Sequence, residues 1–157
     1  SWVRLGYSLY GGSLVALPDG YSLQPVMRFE SRIASIRWID VGESVGYGGR
    51  WVARRRSRIA TIPAGYGDGY PRAARDGTPI GTHQGTVVLA GKVSMDMVTA
   101  DITDLPALDI GSPVTLWGDR PRIDEIAGHS DTIGYELCTR ITQRTPRRFY
   151  GVTSDRK

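Results

Sequence analysis

Four polar stretches of this 157-residue chain stand where ordinary packing does not call for them. Tyr47 sits in "SVGYGGRW" (44–51), with Gly46 before it and Gly48 and Gly49 after it. Tyr66 sits in "AGYGDGYPR" (64–72), again between glycines. Asp96 interrupts an apolar stretch in "GKVSMDM" (91–97), and Tyr135 stands near a helix start in "IGYELCTR" (133–140). A phenol can donate, accept or exchange a proton, but it titrates near ~10 when free. For one to accept a proton near neutrality, its anion needs roughly 4 kcal/mol of help from positive charge or donated hydrogen bonds. Arg50 is the only local donor beside Tyr47, so the remaining help has to come from another segment or another chain. Each stretch also has a plain structural reading. Gly-Tyr-Gly can be a tight turn with an aromatic lid. Asp96 can satisfy backbone amides in a bulge, and Tyr135 can be a core ring with its hydroxyl outward. The presence of all four in one small domain favours chemistry. His83 and His129 lie in no ligand-spaced motif, so no metal site is expected. Neither a phosphate-binding Walker loop nor a nucleophile elbow is present.

The elements that must position these residues read mostly as strands. "VMRFESRIASIRW" (26–38) reads as one long strand with an irregularity, and "DVGE" (40–43) as a turn. "RIATIPAGYGDGYPR" (58–72) begins as a strand and becomes a loop, because its glycines and prolines forbid regular pairing. "GTVVLAGKVSMDMVTADI" (85–102) alternates after Gly91, with Val93, Met95 and Met97 on one side and Ser94, Asp96 and Val98 on the other. "SPVTLWGD" (112–119) is another short strand. Helical patterning comes late, at "RIDEIAGH" (122–129) and "TIGYELCTRI" (132–141), with Thr132 the expected N-cap of the second helix and Glu136 near its positive end. The expected fold is mainly β, a closed or partly open β-barrel with two short helices late in the chain. "VRLGYSLYGG" at the start reads as a strand that has lost what preceded it.

Composition bounds the partners. No apolar run approaches the ~18 residues of a membrane helix, and no secretion signal is visible. Cys138 is the only cysteine, which excludes an internal disulfide and suits a reducing, cytoplasmic setting. The net charge of +4 comes largely from "ARRRSR" (53–58) and "RTPRRFY" (144–150). These clusters read as a solvated loop and tail; a nucleic-acid partner is disfavoured because no aromatic-and-basic recognition motif accompanies them.

With these stretches in place, the chain resembles the C-terminal part of the alanine racemases, fold-type III pyridoxal phosphate enzymes. The resemblance runs through "VRLGYSLYG", "QPVMRFESRI", "GESVGYGGRW", "IPAGYGDGYPR", "GKVSMDM", "GSPVTLWG", "IDEIA" and "YELCTRITQRTPRRFY", in family order. It implies that residues 1–24 are the remnant of a preceding (β/α)8 barrel and linker, and that 25–157 form a C-terminal β-barrel domain. It implies that Tyr47 is the catalytic tyrosine that exchanges the α-proton on the L-alanine face. The Met95 backbone N–H would bind the substrate carboxylate, and Tyr66 would line the substrate site and its entrance. Tyr135 and the backbones of Gly6 and Tyr7 would hold the cofactor phosphate, and Arg4 would face the pyridine nitrogen. Arg72 and Lys92 would line the access channel. The family works as a head-to-tail homodimer, so Tyr47 and Met95 would serve the cofactor of the partner chain.

The departures are as informative. The family's second base is a lysine that also carries the cofactor, and it lies in the barrel. This chain has two lysines, Lys92 and Lys157, and neither matches it. The chain on its own is therefore expected to be inactive. Leu5 stands where proline is common and Tyr7 where an aliphatic residue is usual; only the backbone of Tyr7 is implicated. Two other readings remain: a β-barrel interaction module that kept the fold without the chemistry, and a racemase of another amino acid such as serine.

Overall fold

The computed structural model describes residues 1–151. Among these residues nine strands are formed: β1 (Phe29–Arg32), β2 (Ser35–Ile39), β3 (Ser44–Val45), β4 (Trp51–Val52), β5 (Ser57–Ile62), β6 (Pro79–Thr82), β7 (Gly85–Leu89), β8 (Val98–Asp101) and β9 (Pro113–Trp117). Helices α1 (Ile123–Gly128) and α2 (Gly134–Arg140) follow. Seven strands make one antiparallel sheet in the order β1-β9-β6-β7-β8-β5-β2, and β3 and β4 pair as a separate ribbon.

The order explains the curl of the sheet. β1 and β2 lie at opposite edges, yet only Ile33 and Ala34 separate them in sequence. Ile33 N–H donates to the Ser112 carbonyl beside β9, and Ala34 N–H donates to the Thr61 carbonyl on β5. A flat sheet could not bring these two edges within two residues of each other. It bends into a half-barrel instead. The irregularity expected in 26–38 is this break, so the stretch is two strands rather than one.

Large side chains fill the core. Trp117, Ile62, Ile80, Leu89 and Leu116 are fully buried, and Ile126 of α1 and Leu137 of α2 close over the same core. Phe29 and Tyr70 flank the Trp117 ring, with centroids at 4.8 and 6.1 Å. A smaller cluster of Ile39, Val45, Ala53 and Ile59 seats the β3–β4 ribbon on the sheet. Ribbons this short do not stand alone in water. Each fully buried aliphatic side chain contributes roughly 1.5–3 kcal/mol, and that burial fixes the ribbon tip.

Three local expectations are corrected. Residues 6–10 form a 3-10 turn, not a strand, because Gly6 (φ 51°) and Gly11 (φ 82°) turn the chain while Tyr7 is buried. The alternation after Gly91 is not a strand; Ser94 closes a tight turn, donating both its N–H and its hydroxyl to the Met97 carbonyl. Thr132 does not cap α2. The capping position is Ile133, and the Thr132 hydroxyl bonds the Glu136 carboxylate one turn in.

Candidate active site

Tyr47 stands at the tip of the β3–β4 ribbon in a 3-10 turn over Tyr47–Gly49 and is 73% exposed. Glycines around an exposed phenol could leave room for a substrate and a neighbouring subunit. The structure gives them a nearer purpose. Gly46 and Gly48 have φ of 78° and 72°, where L-residues are strained. Gly46 also lies on the backbone of Gly91 and Lys92, and a Cβ there would stand 2.9 Å from the Lys92 nitrogen. Across the same seam, a Cβ on Gly91 would stand 2.7 Å from the Val45 carbonyl oxygen. The ribbon and the loop after β7 thus touch main chain to main chain.

Arg50 holds that seam. Its guanidinium donates to the carbonyls of Ala74 (3.2 Å) and Gly91 (3.1 Å) and pairs with Asp76 at 3.0 Å. Asp76 in turn accepts the Gly91 N–H at 2.7 Å. Arg50 is therefore committed to structure and is not the donor for Tyr47. The cation beside the tyrosine turn is Lys92, whose Nζ lies 3.7 Å from where a Gly48 Cβ would stand.

Met95 follows on the same loop, at the crown of the Ser94–Met97 turn, and is half exposed. Its carbonyl and that of Ser94 face inward and accept the N–H groups of Gly67 (2.8 Å) and Tyr66 (3.0 Å). A Cβ on Gly65 would overlap the Ser94 and Met95 carbonyls, so this seam also requires glycine. The Met95 N–H bonds to no acceptor among the described residues. Asp68 organises the Tyr66 loop by accepting the Gly65 N–H at 2.9 Å. Arg144 bridges the two loops, reaching Asp96 at 2.5 Å and Asp68 at 3.5 Å. Asp96 is thus an ion-pair partner rather than a bulge acceptor. Arg72 leans over the Tyr66 ring at 5.9 Å.

A second group forms where the N-terminal turn meets the helices. The Tyr135 hydroxyl lies 3.9 Å from where a Gly6 Cβ would stand, with no side chain between. The first N–H groups of a short turn find no partner within it. The Gly6 and Tyr7 amides and the Tyr135 phenol are therefore neighbouring donors, a set whose chemistry fits a phosphate. Arg4 is exposed next to it.

The comparisons with known proteins decide the family. The family described as "Alanine racemase, C-terminal domain" matches residues 26–149. This chain belongs to it. An alanine racemase of Chromohalobacter salexigens is 53% identical over 150 residues, covering 94% of this chain and 41% of that protein. The crystal structure of the biosynthetic alanine racemase of Pseudomonas aeruginosa superposes with a TM-score of 0.85 at 44% identity, covering 91% of this chain and 40% of that one. An alanine racemase from Bartonella henselae with covalently bound pyridoxal phosphate superposes with a TM-score of 0.81 at 31% identity, covering 88% of this chain and 39% of that one. The chain thus spans about two fifths of the length of the racemases it matches.

Within this racemase domain, the structure joins Tyr47, Lys92, Met95, Tyr66 and Arg72 along one ridge built from three glycine-lined loops. It joins Gly6, Tyr7 and Tyr135 in a second group. Sequence reasoning missed the residues that hold the ridge: Arg50 with Asp76, and Arg144 with Asp68 and Asp96. The available signal was charge inside glycine-rich loops. In the basic clusters, Arg55 pairs with Asp104, Arg56 with Asp40 and Arg144 with its two aspartates, with the arginines still exposed to solvent. Among the described residues, no helix is long and apolar enough to cross a membrane, and no group of three or more His, Cys, Asp or Glu side chains could hold a metal ion.

Proposed function

We propose that this domain supplies one wall of an alanine racemase active site, in a cytoplasmic homodimer that interconverts L- and D-alanine. Tyr47 exchanges the α-proton on the L-alanine face at its hydroxyl oxygen. The Met95 N–H orients the substrate carboxylate, reading it with a group that has no protonation state to lose. Tyr135 and the Gly6 and Tyr7 amides hold the phosphate of the cofactor, and Arg4 faces its pyridine nitrogen. Pyridoxal phosphate, when bound, withdraws electron density from the α-carbon as its proton leaves. A guanidinium facing the pyridine nitrogen offers it a hydrogen-bond donor rather than an acid, which would leave the electron sink modest. More of the work then falls on the two bases, Tyr47 and a lysine from the barrel that residues 1–24 would follow. Tyr66, Arg72 and Lys92 line the approach and favour an anionic carboxylate.

The observation that carries this reading is the ridge, where an exposed phenol and an unpaired backbone donor are held by directly packed main chain. The tyrosine's own cation, Lys92, comes from the loop beneath it. The test is Tyr47→Phe in the racemase holoenzyme. Loss of a positioned acid–base group costs about 10²–10⁴-fold, so racemisation should fall by about a thousandfold while the visible absorbance of bound cofactor remains. Near-normal turnover would refute the role. Mixed alone with pyridoxal phosphate and alanine, the 157-residue chain should give no chiral conversion.

A further inference from the structure

The Tyr7 side chain has a role that its backbone assignment leaves unexplained. Its ring is buried between two glycines, and a Cβ on either Gly12 or Gly134 would overlap the ring or its hydroxyl. The hydroxyl donates to Asp124 Oδ1 at 2.6 Å. The other oxygen of that carboxylate accepts the Ser13 N–H at 3.1 Å. Desolvation first, and then the Asp124 hydrogen bond, raise the phenol above the ordinary tyrosine range, so it remains a donor. The Tyr7 ring stacks on Tyr135, with centroids 4.6 Å apart and planes inclined by 29°.

We propose that Tyr7 is a positioning residue, whose bond to Asp124 locks the Tyr135 ring and the Gly6 backbone at the spacing a phosphate group requires. The proposal rests on the cofactor reading above and deepens it. Tyr135 belongs to a two-turn helix and is 45% exposed, so its own element leaves the ring free to swing. Stacking against a ring that is itself tethered removes that freedom before the ligand arrives, and the ordering cost is not met again on binding. The tether also joins the N-terminal turn to the first turn of α1, which carries Asp124. The Tyr7 ring, tethered to α1 and stacked on Tyr135 of α2, thus links the two halves of the donor set.

The test uses apo racemase carrying this domain, titrated with pyridoxal phosphate and, separately, with pyridoxal, which lacks the phosphate. Tyr7→Phe keeps the ring and its stack but removes the tether. It should weaken pyridoxal phosphate about tenfold, the scale of one hydrogen bond to a charged group, and leave pyridoxal within about twofold. Asp124→Ala, which removes the acceptor, should give the same selective loss and carries the test if Tyr7→Phe does not fold. Equal weakening of both ligands, or unchanged affinity for pyridoxal phosphate, overturns the proposal. Tyr135→Phe run in parallel separates the two levels. A selective loss there with none at Tyr7→Phe sinks the positioning role alone. No loss at either position sinks the phosphate site with it.

Discussion

Gly91→Ala tests whether the seam under Tyr47 does what its geometry implies. Two costs apply. The residue has φ of 92°, and holding a non-glycine residue in such a conformation costs about 1–3 kcal/mol. The added methyl would stand 2.7 Å from the Val45 carbonyl oxygen and 3.1 Å from its carbon, where ordinary contact begins at 3.4 Å. Those neighbours are backbone atoms of a paired ribbon and cannot rotate aside. The ribbon must retreat by several tenths of an ångström, against the Arg50 and Asp76 bonds that clamp Gly91 from the other side. Gly111→Ala is the control for the first cost alone. Its φ is 86°, and nothing lies within 4 Å of its Cβ position. Urea unfolding of the chain should show a loss of about 1 kcal/mol for Gly111→Ala and about 2–4 kcal/mol for Gly91→Ala. In the holoenzyme, a displacement of this size at the base should lower kcat about tenfold or more, while Gly111→Ala leaves it unchanged. The reasoning fails if the two variants are equally stable and Gly91→Ala racemises normally.

Two further substitutions probe the supports of the ridge and the core. Arg144→Ala unties the Tyr66 loop from the Met95 loop. Its ion pairs are half exposed, so the loss of stability should be small and should shrink in high salt; in the holoenzyme the KM for alanine should rise more than kcat falls. A salt-independent loss of stability would contradict the ion-pair account. Tyr70→Phe removes a buried hydroxyl that has no hydrogen-bond partner among the described residues. It should raise the urea midpoint, corresponding to about 1 kcal/mol, and a destabilised variant would refute that reading.

Much of the fold was legible because strand and turn signals are local. Gly42 sits at φ 88° in the turn expected over 40–43, and β5, β9, α1 and α2 appear where hydrophobic runs and breakers bracket them. What was not legible depends on neighbours distant in sequence. The break at Ile33–Ala34 is set by Ser112 and Thr61, which nothing in "SRIAS" announces. The run 91–97 alternates like a strand, yet its carbonyls are taken by the Tyr66 loop and its Ser94 side chain closes the turn. Tyr7 was set aside as a side chain because its importance lies in Asp124, 117 residues away. Tyr47, Tyr66 and Tyr135 stand out by residue type and setting, whereas Arg4, Gly6, Tyr7, Arg72, Lys92 and Met95 come only from the family resemblance. Their supports do not stand out, because Arg50 and Arg144 look like any surface arginine until their carboxylate partners are folded against them.

The glycines of the ridge bear on the proton transfer proposed for Tyr47. A base helps only if it is held at fixed distance from the bond it attacks, and a loop fixed by long side chains leaves slack in every rotamer. Gly46 on Lys92, Gly91 on Val45 and Gly65 on Met95 replace such contacts with main chain against main chain. Hydrogen bonds from Tyr66 and Gly67 and the Arg50 clamp then fix the registration. The Met95 backbone and the backbone of the Tyr47 turn are thereby held by directly packed main chain, while the charged groups around them are left at the surface. The same arrangement separates the two cations near the tyrosine turn. Arg50 cannot leave Asp76 and the Gly91 carbonyl without opening the seam, whereas the Lys92 ammonium reaches Gly48 on a flexible stem and is free of that seam's bonds.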